Sequence, residues 1–369
     1  MTIKVAQLGL VRAADLASPA RDRAAFLLAD RVRLLIIERM VEIADTEIDP
    51  WHTDTTQCGA FKLAPVNRSW DEAERAALVA LLRTRPNGLT WSQITAEVDS
   101  WGSALRVWRD LQPVDLFDDG DTAPALDDAV SIIAKWEADR FGFLTFRDEA
   151  YPAQLREIHE MPPVLFHRGT LMPDEFGVSV VGSRDATPRG LDIARSVAAG
   201  LVDRGITVIA GLAKGIDTAA HVAALDAGGR TVAVIGTGIT RSYPAENRDL
   251  QDRIATDGLV LSQFWPDAPP TKHSFPMRNA VMSGYGRATV VVQAGEHSGA
   301  RIQARQAIAH GRPVILTDLV VAATKWSADL IDRPGVHVAA STAEIMSIVE
   351  DIAAGPREID ALLQAVTRR

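Results

Sequence analysis

Six short runs of small and β-branched apolar residues, separated by stretches of helical pattern, constrain the fold of this chain more than anything else in it. They are VSVVG (178–182), ITVIA (206–210), TVAVIG (231–236), LVLS (259–262), TVVVQA (289–294) and PVIL (313–316). They are apolar at successive positions, with no alternation of apolar and polar residues. A strand of that kind is buried on both faces, as in a parallel sheet covered by helices on either side. One intervening helix is expected to end near Arg204 and another near Gly228. The pattern predicts an α/β fold with a doubly wound, Rossmann-like parallel sheet from about residue 178 to 318. Ligands of such sheets lie beyond the carboxyl ends of the strands.

The loops at those ends hold the candidate chemistry. In GLAKGIDTAAH (211–221), Gly211 ends a strand where a backbone can approach an anion without a Cβ in the way. Lys214 and Gly215 follow, and Asp217 stands where a helix N-cap is expected. Free amides at a helix start together with Lys214 make a phosphate cradle. The loop also reads as a plain turn with a solvated lysine, and the residues leave both readings open. Gly182, Ser183 and Arg184 sit at the same place after the first run, where a hydroxyl and a guanidinium can hold a phosphate. Arg278 and Asn279, in FPMRN, add planar donors suited to a phosphate or a base edge. Ser298 and Gly299 open a helix after TVVVQA. Tyr243, Phe264, Trp265, Phe275 and Tyr285 are available to stack on bases or to fill the core.

Enzymatic signatures are missing. Gly236-Thr237-Gly238 follows a strand but has neither the third glycine nor the helix start of a dinucleotide site, so no cofactor is expected. The eight histidines show no HExxH pattern, and neither Ser183 nor Ser298 lies in a GxSxG elbow. His221, one turn after Asp217, reads either as a base held by that carboxylate or as a buried structural histidine. The single cysteine, Cys58, builds no metal cage, and a reduced, cytoplasmic setting is expected.

At 369 residues the chain is expected to hold two or three domains. Residues 1–69 read as a helical extension, with an amphipathic helix over 22–45. Residues 70–112 read as short helices broken at Pro86-Asn87-Gly88, 113–145 as an acidic linker and helix, 146–355 as the α/β domain, and 356–369 as a tail. No apolar run approaches the roughly 18 residues of a membrane span, so no membrane is expected as a partner. The net charge is −9, yet residues 177–318 carry 15 Lys and Arg against 12 Asp and Glu. The acid lies outside the segment with the glycine motifs, which is compatible with a local basic groove.

In this order VVGSR, GLAKGIDTAAHVAAL, GGRTVAVIGTGITRSYPAEN, FPMRN and VVVQAGEHSGARIQA resemble the DNA-processing protein A family, DprA or Smf. The resemblance reaches upstream through RDEAYPAQLREIHEMPPVLFHRGTL (147–171) and, in degenerate form, through the helical segment 77–108, which looks like the family's sterile-alpha-motif-like domain. It implies a single-stranded DNA-binding protein, not an enzyme, that forms homodimers and helps load a RecA-type recombinase. It places Gly182, Ser183, Arg184, Gly211, Lys214, Gly215, Arg278, Asn279, Ser298 and Gly299 around the DNA phosphates, with no metal. Family members usually read Arg-Asn-Arg after the Phe-Pro, so Ala280 is expected to remove one cation from the pocket. Two other readings remain: a sensor of a small nucleotide, and an enzyme like the related LOG phosphoribohydrolases, whose PGGxGTxxE signature QAGEHSG does not supply.

Overall fold

The computed structural model describes residues 70–111, 123–172 and 175–367. The helix expected over 22–45 lies outside them. Residues 67–356 form one compact unit. Among the described residues its helices of eight residues or more are α1 (Glu72–Thr84), α2 (Trp91–Trp101), α3 (Ala104–Leu111), α4 (Ala123–Glu137), α5 (Pro188–Val202), α6 (Ile216–Asp226), α7 (Arg248–Asp257), α8 (Ser274–Tyr285), α9 (Gly299–Ala309) and α10 (Thr342–Thr367), the last running on beyond 356. Its strands are β1 (Gly142–Thr145), β2 (Val164–Gly169), β3 (Gly177–Gly182), β4 (Thr207–Ala210), β5 (Thr231–Val234), β6 (Leu259–Ser262), β7 (Ala288–Gln293), β8 (Val314–Thr317) and β9 (Val336–Ala339).

The six apolar runs are β3 to β8, all parallel, and they form the middle of one sheet in the order β1-β2-β6-β5-β4-β3-β7-β8-β9. Their continuous apolar character has the expected cause. Val178, Val180, Val208, Val290 and Val292 pack on one face with Val197, Leu201, Ile216 and Met346 from α5, α6 and α10. Val181, Ile209 and Val291 face the other way, into a cluster with Val281 and Met282 of α8 and Ala304 of α9.

The sheet is wider than the six runs predict. β9 adds a parallel strand beyond β8, and β1 and β2 add antiparallel strands beside β6. These three are edge or near-edge strands whose apolar runs are at most three residues long, as in Val164-Leu165-Phe166 of β2, or are broken by polar residues. Within the region expected as acidic linker and helix, the stretch APALDD belongs to α4, with Pro124 in the first turn, where its missing N–H breaks no helical bond.

An aromatic joint fastens α1 to α4 to the antiparallel edge. Trp136 of α4 stacks on Trp265 with ring centroids 5.6 Å apart and meets Phe166 of β2 edge-on at 5.0 Å. Trp91 of α2 meets Trp265 edge-on at 5.1 Å, and Phe143 of β1 lies 5.3 Å from Phe166. Arg75 of α1 adds hydrogen bonds to the Phe143 carbonyl at 3.0 Å and to Asp148 at 3.1 Å. One cluster of buried residues therefore runs from Leu78 and Leu81 of α1 through this joint to the sheet.

Phe166 is fully buried at the centre of that joint. Phe166→Ala is expected to destabilise the fold by about 3–5 kcal/mol in urea unfolding. A loss below about 1 kcal/mol would show that the joint does not fasten the helices to the sheet.

Candidate functional site

Strand order reverses between β3 and β7: β4, β5 and β6 lie to one side of β3, and β8 and β9 lie beyond β7. Crevices in open α/β sheets form outside the carboxyl ends of the strands at such a reversal. Here the loops after β3 and β7, with the start of α6 and the face of α8, enclose a cavity of about 530 Å³. Gly182, Ser183, Arg184, Arg278, Asn279, Ser298 and Gly299 line it. Gly211 and Lys214 line a smaller adjoining compartment of about 90 Å³, and Arg184, Phe275 and Arg278 belong to both. Gly215 lines neither compartment. Its φ is +78°, and a Cβ there would run into the Ser183 and Arg184 carbonyls, so a glycine lets the GLAKG loop pack against the GSR loop.

Asp217 is not the N-cap of α6. Gly215 holds that position, and the buried Asp217 carboxylate reaches back to accept hydrogen bonds from the N–H groups of Gly211 (3.0 Å) and Ala213 (3.4 Å). Arg278, also buried, donates through Nη1 to the Gly211 carbonyl and to the Val234 carbonyl at 2.9 Å. The Gly211 backbone is thus held at both its N–H and its carbonyl, and a Cβ on Gly211 would occupy the space of the Arg278 guanidinium. Between them Leu212 is buried in the left-handed region at φ +56°, its carbonyl accepting a 2.9 Å hydrogen bond from Asn247. Such a conformation persists only where its surroundings over-determine it. Burial raises the pKa of Asp217 and lowers that of Arg278, and the charge of each opposes the effect on the other.

Of the donors expected to face a phosphate, Arg278 is therefore largely engaged with backbone. Its Nε donates to Asn279 Oδ1 at 3.0 Å, and only Nη2 makes no hydrogen bond to a described residue. The Ser183 hydroxyl accepts from the Asp185 N–H at 3.1 Å, and Ser298 caps α9 through the Ala300 N–H at 3.2 Å. Arg184 differs. It is exposed, makes no hydrogen bond or ion pair to a described residue, and has its guanidinium carbon 5.3 Å from the Phe275 ring centroid. Lys214 is exposed too, but its ammonium pairs with Glu246, whose hydrogen bond and charge raise the lysine pKa.

Among the aromatic candidates, Phe275 lines both compartments, and Tyr243, 5.7 Å from Phe275, lines the smaller one. Trp265 and Tyr285 pack in the core. Ala280 does not face the crevice. It is buried on the other side of α8, beside a separate groove with Trp91 and Met161, so a cation there would not have joined the pocket. Sequence reasoning missed Gln303 and Met282 as lining residues, and it missed Glu246 as the partner of Lys214. A lone surface glutamate in YPAEN has no signal that marks it. Among the described residues no three His, Cys, Asp or Glu side chains converge to hold a metal ion.

A family model described as DNA recombination-mediator protein A matches residues 142–353. The chain belongs to that family. All the candidate site residues fall inside the matched segment. The DNA processing protein DprA of Streptococcus pneumoniae is 43% identical over 179 residues, which cover 48% of this chain and 63% of that protein. Protein Smf of Synechocystis sp. is 42% identical over 177 residues, covering 47% of this chain and 44% of Smf. The chain thus spans less than two thirds of these relatives' length. The X-ray structure of the pneumococcal protein superposes with a TM-score of 0.57 at 30% identity, covering 75% of this chain and 95% of that one. The DprA structure from Helicobacter pylori, described for its single-stranded DNA binding mode, shares the fold with a TM-score of 0.51 at 23% identity, covering 57% of this chain and 96% of that one.

In this family member His221 is not placed as a base. It is fully buried, and Nδ1 lies 2.7 Å from the Thr231 hydroxyl, which itself donates to the Val208 carbonyl. The Asp217 carboxylate is engaged elsewhere. Burial, with a smaller contribution from the Arg278 charge, lowers the His221 pKa to about 3. A histidine whose pKa falls on folding stabilises the native state fully above its unfolded value of about 6.5. That stability is lost as pH drops toward 3, by up to about 1.4 kcal/mol per unit. Asp217, with a raised pKa, acts in the opposite sense, so a comparison with His221→Asn isolates the histidine. The variant is expected to lose less stability than the native protein between pH 6.5 and 4 in urea titrations. An identical pH slope in both would contradict a buried neutral imidazole.

Proposed function

We propose that this chain binds single-stranded DNA without regard to base sequence, holding the backbone phosphates in the crevice at the β3/β7 reversal. The observation that carries the reading is Arg184, an exposed guanidinium with no ion-pair partner among the described residues, set against the face of Phe275 at the wall shared by two compartments. A cation beside an aromatic face suits a strand, because the cation meets the phosphate and any base can stack on the ring. Two adjoining compartments with a common basic wall suit successive phosphates of one strand. The helix start at Ser298 and Gly299, which line the larger compartment, adds backbone amides.

Two further supports come from relatives: the family description as a recombination mediator, and the Helicobacter pylori structure described for its single-stranded DNA binding. On this reading the chain acts in DNA processing and recombination in the cytoplasm, as a homodimer that passes DNA to a RecA-type recombinase. A binding role, not a catalytic one, is supported by the site chemistry: both serine hydroxyls accept backbone N–H bonds, and His221, one turn after Asp217, is buried and neutral.

Arg184→Ala tests the phosphate contact. It is expected to weaken binding to oligo-dT and to mixed-sequence oligonucleotides alike. It should also flatten the plot of log K against log salt by about 0.7, one phosphate's share for a single strand. A changed base preference with an intact salt slope would instead make Arg184 a base-reading residue and overturn this assignment.

A further inference from the structure

Lys214 is the only cation of the GLAKG loop, and it is already paired. Its partner, Glu246, lies on the short turn Ala245–Asn247. That turn is anchored to the loop it serves: the Asn247 side-chain amide donates to the Leu212 carbonyl and to the Thr218 hydroxyl, each at 2.9 Å. The backbone that carries Glu246 is therefore fixed against the loop, within reach of the ammonium. Both side chains are more than half exposed, 60% for Lys214 and 52% for Glu246, so a ligand from solvent can reach the pair. The nearby Asp185 adds a second negative charge to the surroundings of the lysine. Arg184, across the same small compartment, has no such carboxylate partner among the described residues.

We propose that Glu246 is an internal substitute for phosphate, holding Lys214 until a phosphodiester oxygen of the bound strand displaces it and thereby lowering the affinity of the site. The inference rests on the DNA-binding reading above and concerns how that site is tuned. Displacement has a definite electrostatic consequence. When a phosphate takes the place of Glu246, one DNA charge is neutralised as one protein carboxylate is released to solvent. The net counterion release at this position is then close to zero, whereas a free cation such as Arg184 releases about 0.7 of a counterion. The two cations of one crevice thus differ in their salt dependence.

The experiment is a double-mutant cycle on the full chain, with fluorescently labelled oligo-dT titrated at several salt concentrations. Glu246→Gln keeps the shape of the side chain and removes its charge. It is expected to tighten binding about two- to fivefold, the range for an exposed ion pair, and to steepen the salt slope by about 0.7. In a Lys214→Ala background the same substitution should change neither affinity nor slope. Lys214→Ala alone should leave the native slope nearly unchanged. Unchanged binding in Glu246→Gln would overturn the proposal, and so would an equal gain with alanine at 214, because that would be a general field effect. If the native chain binds no oligonucleotide at all, the DNA-binding reading itself falls; if it binds and the cycle shows no coupling, only the role of Glu246 falls.

Discussion

The crevice depends on the backbone of one residue, where two successive peptide units meet at Gly211. Gly211 gives its N–H to Asp217 and its carbonyl to Arg278, and both charged side chains are buried. Neither charge would be tolerable there alone, because an isolated ion in a protein interior is several kcal/mol less stable than in water. Together, with the backbone dipoles between them, they offset part of that cost and tie three segments to one point. Asp217 belongs to α6, Arg278 to α8, and Arg278 also grips the carbonyl of Val234 at the end of β5. The left-handed Leu212 and the Asn247 that holds its carbonyl follow from the same anchoring.

This clamp divides the charges of the site into two kinds. Asp217 and Arg278 are architectural: buried and little screened by salt, they set where the loops stand. Arg184 and Lys214 are exposed at the rim, where their interactions are weak in water and open to exchange with a ligand. A groove that tracks a nucleic-acid backbone needs the second kind held in place by the first. The buried pair ties the GLAKG loop to α8 and the end of β5, and the packing of Gly215 on the GSR loop brings Arg184 and Lys214 to one compartment.

The sheet was legible because its central strands are buried on both faces, which leaves an unbroken apolar run as the mark of each. β1, β2 and β9 lie at the margins, where burial is partial or the strand is very short, and no periodicity announces them. The gathering of the GSR, FPMRN and SG segments in one crevice followed from their places after β3, on α8 and after β7. What each side chain does there was not legible. Arg278 and Arg184 look alike in sequence, yet one holds backbone carbonyls and the other faces solvent. Asp217 reads as a cap because caps are common at that position, whereas its carboxylate turned back to Gly211. Ala280 misled in the opposite direction, since one residue along a helix turns a side chain by about 100°, here away from the crevice.

The two occupants to be told apart at this crevice are a nucleic-acid strand, as proposed, and a free nucleotide. The most direct measurement is competition: displacement of a labelled single-stranded oligonucleotide from the full chain by unlabelled oligonucleotides of increasing length and by mononucleotides. A strand-binding groove predicts competition that strengthens with each nucleotide until the site is filled, is indifferent to base composition, and is negligible for mononucleotides at comparable concentration. Mononucleotides that compete as well as long oligonucleotides, with a preference for one base, would contradict it and make the crevice a small-nucleotide pocket.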